Sequence, residues 1–134
     1  MASIFTKIIQ GEIPCEKIIE TDSEFAFLDI MPCAEGHTLV IPKLEVKRLE
    51  DLPESEALSL MRTMQHVAKA VCAAFDGIDY NLVLNNGVNA GQEVEHVHFH
   101  VLPRPQGSSR PFHQRVKYAE GEMQEVGAKI RNCL

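Results

Sequence analysis

A chain of 134 residues, 45% hydrophobic and 24% charged, without a biased tract, is long enough for one compact core and too short for two. That composition argues against disorder and fibrous repeats, and a net charge of −6 argues against nucleic-acid binding, which depends on releasing counterions from a basic surface. No apolar run approaches the roughly 20 residues that a spanning helix needs. Thr6, Lys7 and Gln10 also interrupt the apolar stretch expected of a signal peptide, so neither membrane nor export is expected. Cys15, Cys33, Cys72 and Cys133 are widely spaced with no Cys-x-x-Cys pair, which fits free thiols and a cytoplasmic location.

In chain order, Ile4, Phe5, Ile8 and Ile9 fall on one face of a short helix that Gly11 and Pro14 terminate. The runs KIIET and EFAFLDI, separated by Thr21, Asp22 and Ser23, read as two antiparallel strands, and GHTLVIPK reads as a third. A long helix follows from Pro53. Ala57, Leu58, Met61, Met64, Ala68, Val71, Cys72 and Phe75 make its apolar stripe, His66 lies off the stripe, and Asp76-Gly77 closes it. DYNLVLNN is a fourth strand, the Gly- and Asn-rich GVNAGQ a turn, and EVEHVHFHVLP a fifth strand. YAEGEMQEVGAKIRNCL reads as a weak helix interrupted by Gly121 and Gly127. The pattern is α+β: about five mostly antiparallel strands, one long helix and short terminal helices, in a single domain over residues 1–134. A sheet this small leaves an edge open for pairing with a second copy, and a homodimer is expected.

The decisive segment is HVHFHVL, residues 96–102. On a strand, His96, His98 and His100 share one face at roughly 6 to 7 Å spacing, and Val97, Phe99 and Val101 take the other. Such a row suits two chemistries. Imidazoles on one face ligate metals; a neutral imidazole is also a nucleophile near pH 7, with its neighbours bonding the group under attack. The preceding LNNGVNAGQ, residues 84–92, favours the second: Gly87 and Gly91 bring backbone N–H groups close to a ligand, and Asn85 and Gln92 add neutral donors suited to phosphate. Between Glu95 and Glu120 no acidic residue occurs, whereas Arg104, Arg110, Arg115 and Lys117 do. That stretch is either a solvated loop or the neighbour of an anionic ligand.

With IFTKIIQGEIP, FAFLDIMP, GHTLVIPK and NNGVNAGQEVEHVHFHVLPR in order, the chain resembles the histidine triad (HIT) family of nucleotide hydrolases and transferases. LPRPQGSSR after the triad resembles the polyphosphate-cleaving and general bacterial-type branches more than the short phosphoramidase branch. The likeness spans about residues 3–104 and leaves a tail from about 105 to 134. It implies a HIT-like sheet-and-helix fold that dimerises by joining two sheets, and one purine nucleotide site per subunit. By position, His98 resembles the nucleophile that takes up the nucleotidyl group. His100 resembles the residue bonding phosphate and leaving group, His96 a supporting member, and His37 the histidine packed behind the triad. Gln92 is implied as a phosphate donor, Asn85 lies in the same loop, and Asp29 matches the carboxylate that binds ribose hydroxyls. Phe5, Ile8, Phe27 and Ile30 match the walls of the purine pocket, although periodicity alone reads them as core.

The departures are informative. Some relatives hold a structural zinc through two early cysteines, a later histidine and the first triad histidine; here the early positions are Ser3 and Thr6, and EVKRL contains no histidine. No metal and no other cofactor is therefore expected. Position 93 is often a small hydroxyl residue but is Glu93 here. Strand alternation places Glu93 on the face opposite His98, whereas a bulge after Gly91 reverses it; either way it is expected to turn toward a basic side chain such as Arg104 or one of the tail. His100 stands where the uridylyltransferase branch carries Gln. The expected activity is therefore hydrolysis at the α-phosphate of an adenosine phosphoramidate, an adenylate or a dinucleoside polyphosphate. Two rivals stand beside it: a nucleotide-binding module with vestigial catalysis, and a metalloenzyme.

Overall fold

The computed structural model describes residues 2–107 and 115–134. Ser3 caps the first helix, α1 (Ile4–Ile9), its Oγ accepting the Thr6 N–H at 3.0 Å, and Gly11 at φ +81° turns the chain away. β1 (Lys17–Glu20) and β2 (Glu24–Leu28) follow as an antiparallel pair, with Thr21 Oγ1 accepting the N–H groups of Ser23 and Glu24 in the turn. β3 (Thr38–Pro42), α2 (Glu54–Ala74), β4 (Asp79–Leu84), β5 (Phe99–Arg104) and α3 (Glu122–Arg131) complete the order. The five strands form one antiparallel sheet in the order β1-β2-β3-β5-β4, which places β4 at an edge. The expected α+β architecture is the one observed. Among the described residues no helix is long and apolar enough to cross a membrane.

Side-chain alternation divides the sheet into two faces. Ala26 and Leu28 of β2, Val40 of β3 and Val101 of β5 join Leu60, Met64, Val67 and Val71 of α2 and Val126 and Ile130 of α3 in the larger core. Phe25, Phe27, Leu39 and Ile41 face the other way and pack with Phe5 of α1. His100 lies opposite Leu39 and opposite Val83, and so belongs to this second face.

Three local readings change. The buried stripe of α2 runs through Leu60, Met64, Val67, Val71 and Ala74, whereas Leu58 and Met61 are exposed; three- and four-residue spacing fits more than one face of so apolar a helix. His66 is exposed, as expected. The fifth strand begins at Phe99, not Glu93. Before it the chain curls, with His96 N–H bonded to Val94 O at 2.9 Å and Val97 N–H to Val46 O at 2.8 Å, contacts outside the ladder with β3. Finally, α3 is a ten-residue helix despite Gly127. A Cβ there would lie 2.6 Å from the Glu16 side chain, so the glycine permits the close approach of α3 to β1 that Arg131 secures by pairing with Glu16.

Candidate active site

The histidines share a face even though only His100 is in the strand. His98 and His100 stack edge to face with ring centroids 5.0 Å apart, and Phe5 packs edge-on against both His96 and His98. Each of the four rings makes at least one hydrogen bond that assigns its proton. His98 Nδ1 lies 2.7 Å from the carbonyl oxygen of His96, which only accepts, so Nδ1 carries the proton and Nε2 keeps a lone pair. His96 Nε2 likewise donates to Pro42 O at 2.8 Å, leaving Nδ1 to accept from Ser3 Oγ at 2.7 Å. Cys33 N–H donates to His37 Nδ1 at 3.0 Å, so His37 carries its proton on Nε2 and donates it to His100 Nδ1 at 2.9 Å. His100 is thereby left with its own proton on Nε2.

Burial keeps this row neutral. Desolvation lowers the pKa of His37 to about 2, aided by positive charge on His100, Arg115 and His98. It lowers His100 to about 4, aided by His98 and Arg115. His98 and His96 are also pulled down by burial, against the opposing hydrogen bonds to the carbonyls of His96 and Pro42. A neutral row with one bare nitrogen on His98 and one N–H on His100 pairs a nucleophile with an adjacent donor.

Two cavities meet at this row. One, of about 340 Å³, is lined by His98, His100, Asn85, Gly91, Cys33 and Leu102 among others. The second, of about 410 Å³, takes Phe5, Asp29, Leu39 and Val94 along with the same two histidines. Glu93 and Arg115 line both. The expected site residues thus divide. His98, His100, His37, Asn85, Phe5, Asp29 and Glu93 line the cavities. Phe27 stands behind Phe5 with centroids 5.5 Å apart, Ile8 packs against the same cluster, and Ile30 is 66% exposed beyond it. His96 is fully buried and acts through its backbone carbonyl.

Gln92 is placed differently from a phosphate donor. Its Oε1 accepts Gly87 N–H at 2.7 Å, and its Nε2 donates to Lys47 O at 2.8 Å and Val94 O at 2.9 Å, so the amide braces the loop. Gly87 at φ +102° and Gly91 at φ +93° give that loop its shape. Glu93 lies on the histidine side of the chain, the outcome that the irregular backbone before Phe99 allows. Among the described residues Glu93 makes no salt bridge, and part of the tail expected to supply its basic partner lies outside them. Arg104 ends β5 opposite Asp79 and lines neither cavity, and Arg110 lies outside the described residues.

Two contributions escaped the sequence, and a third, Arg115, was legible there only within a basic stretch read as either a solvated loop or the neighbour of an anionic ligand. Arg115 Nη1 donates to Asp29 Oδ2 at 3.1 Å and to Met31 O at 2.7 Å; the acid-free stretch held its only signal. Cys33 contributes a backbone N–H, for which no side-chain pattern exists. Ser3 bonds His96, and Thr6 Oγ1 donates to Glu45, which also accepts Ser3 N–H at 2.8 Å. Asp29, His37 and His100 place one ligand atom each within 4.8 Å of one another, and His37 Nε2 and His100 Nδ1 are already hydrogen-bonded to each other.

Known proteins identify the family. The family model described as the HIT domain matches residues 10–107. The chain is 48% identical over 104 residues to an adenosine 5′-monophosphoramidase of Saccharomyces cerevisiae, covering 77% of this chain and 63% of that one. It is 39% identical to an adenylylsulfatase of Arabidopsis thaliana, covering 98% of this chain and 66% of that one. The crystal structure of a Hit-like protein from Bartonella henselae superposes with a TM-score of 0.87 at 37% identity, over 98% of this chain and 96% of that one. With the family match covering most of its length and the triad buried between two cavities, the chain belongs to the HIT family.

Proposed function

We propose that the protein is a purine nucleotide hydrolase that cleaves at the α-phosphate through a covalent nucleotidyl-histidine on His98. The observation that carries this is the hydrogen bond from His98 Nδ1 to His96 O, which leaves Nε2 unprotonated beside the N–H of His100. Nε2 donates its electron pair to phosphorus as the bond from phosphorus to the leaving group breaks, and the departing atom takes a proton from solvent. The His96 carbonyl then accepts a hydrogen bond from a positively charged ring, an interaction stronger than that to a neutral one. Water attacks phosphorus in the second step, loses its proton to solvent, and returns the lone pair to His98. Two easier displacements replace one difficult one, and His100 Nε2–H stabilises the developing charge in both.

The relatives named as phosphoramidase and adenylylsulfatase support substrates with a single phosphate between adenosine and the leaving group. Glu93 supports the same choice, since a carboxylate at both cavities repels a polyphosphate leaving group. The reaction requires no metal in this reading. Ser3, Thr6, Glu45 and His96 offer one imidazole, one carboxylate and two hydroxyls, a poor donor set for structural zinc. The edge strand β4, with exposed Tyr80 and Leu82, suits pairing with a second copy in a cytoplasmic homodimer.

The test is kcat/KM for adenosine 5′-phosphoramidate, adenosine 5′-phosphosulfate and diadenosine tetraphosphate. The expected order places both single-phosphate substrates above the tetraphosphate. A protein that binds AMP but turns over none of the three is a binding module instead.

A further inference from the structure

The cavities at the histidine row hold an unusual charge balance. Asp29 and Glu93 contribute carboxylates and burial keeps the histidines neutral, so the row itself supplies dipoles but no positive charge. Among the described residues, Arg115 is the one cation lining either cavity, and it lines both. It arrives from a segment that follows the triad and is distant in sequence from the turn it contacts, where three attachments hold it. Arg115 itself bonds Asp29 and Met31 O, Val116 N–H donates to Pro32 O at 2.7 Å, and Gly36 N–H donates to Tyr118 Oη at 3.0 Å. Downstream, α3 anchors the segment by burying Val126 and Ile130 in the larger core. The strap therefore runs along the turn 29–37, which carries Asp29, the Cys33 N–H that orients His37, and His37 itself.

We propose that Arg115 is a substrate-binding residue, the cation that receives the phosphate of the nucleotide at the junction of the two cavities. This rests on the hydrolase reading for its ligand, an adenosine monophosphate moiety, and adds a residue that lies outside the triad and its loop. The geometry favours phosphate contact over a mere brace for Asp29. A brace needs only to reach Asp29 and Met31, whereas this guanidinium borders both cavities beside His98 and His100. An anion entering between two carboxylates requires an opposing charge. A carboxylate has room for about four hydrogen bonds, so Asp29 accepts from Arg115 and Met31 N–H and retains capacity for a ribose hydroxyl. Nucleoside and guanidinium do not compete for it.

Calorimetric titration of the full chain with AMP and with adenosine tests the assignment, using the parent protein, Arg115→Gln and Arg115→Lys. Loss of one charge-assisted contact predicts AMP binding weakened about tenfold in Arg115→Gln, with adenosine binding nearly unchanged. Arg115→Lys should recover most of the AMP affinity, and the difference between parent and Arg115→Gln should shrink as salt is raised. The adenosine titration also reports whether the nucleoside pocket of each variant is intact. Equal weakening of AMP and adenosine would reduce Arg115 to a brace for Asp29, and tighter binding of both would make it an occluding latch; either overturns the assignment while leaving the hydrolase reading standing. Conversely, parent protein that binds AMP more tightly than Arg115→Gln does but turns over no substrate would sink the hydrolase reading and uphold Arg115 as a phosphate ligand.

Discussion

His37 Nε2 lies 2.9 Å from His100 Nδ1, and a backbone N–H in the turn that precedes β3, that of Cys33, determines which of the two carries the proton. The relay ends at His100 Nε2–H on the cavity. In the proposed reaction His37 is a positioning residue: fully buried, it holds the donor beside the nucleophile in the useful tautomer.

His37→Ala removes that relay and strands the Cys33 N–H. The expected result is a fall in kcat of about 10² with a smaller change in KM, since donors aimed at developing charge act mainly in the transition state. Stability should fall by about 1–3 kcal/mol for the unsatisfied buried groups, before any cavity effect. Denaturant unfolding alongside steady-state kinetics checks both. A kcat equal to the parent's would show that the tautomer of His100 does not matter.

Gln92 provides a separate contrast. Its three hydrogen bonds to Gly87, Lys47 and Val94 make it a loop brace, so Gln92→Ala should loosen residues 87–92. Faster amide hydrogen exchange there, with KM raised more than kcat is lowered, is expected. Unchanged exchange with kcat down by 10² or more would identify Gln92 as a direct phosphate donor instead.

The sheet and helices were legible because alternation and helical spacing follow from which side chains are buried. Phe25 and Phe27 against Ala26 and Leu28 already separate two faces. The triad was legible for the same reason, and Val97 and Val101 do enter the larger core. What alternation cannot carry is the curl before Phe99. It is made by backbone groups, His96 N–H to Val94 O and Val97 N–H to Val46 O, and it puts Glu93 at the cavities. Arg115 was visible only as one cation in an acid-free stretch. Its arrival at Asp29 depends on the docking of α3, a contact between segments more than 80 residues apart.

Glu93 is expected to slow the reaction with anionic leaving groups. At an effective dielectric near 20, two unit charges 4 Å apart repel by about 4 kcal/mol before relaxation, and exposure of Glu93 reduces this further. Glu93→Ser should therefore raise kcat/KM for diadenosine tetraphosphate several-fold and change phosphoramidate turnover less. Equal effects on the two substrates would remove Glu93 as a discriminator.

The buried neutral histidines also set an acid limit on stability. Their folded-state pKa values lie below the unfolded value near 6.5, so the unfolded chain binds more protons as pH falls. Their contribution is complete above about pH 6.5 and is lost progressively from there through about pH 4, where His100 titrates, toward about pH 2 for His37. Urea midpoints measured from pH 7.5 to 4.5 should fall, and His100→Asn should flatten the curve. A flat parent profile over that range would contradict the neutral row.

The covalent step is tested most directly by mixing the protein with excess radiolabelled adenosine 5′-phosphoramidate, quenching in alkali during the first turnover, and mapping the label by peptide mass. The account predicts one adenylyl group on His98 in the parent, and none in His98→Asn, which should still bind AMP but not turn over. Full turnover by His98→Asn, or label on any other residue, would contradict it.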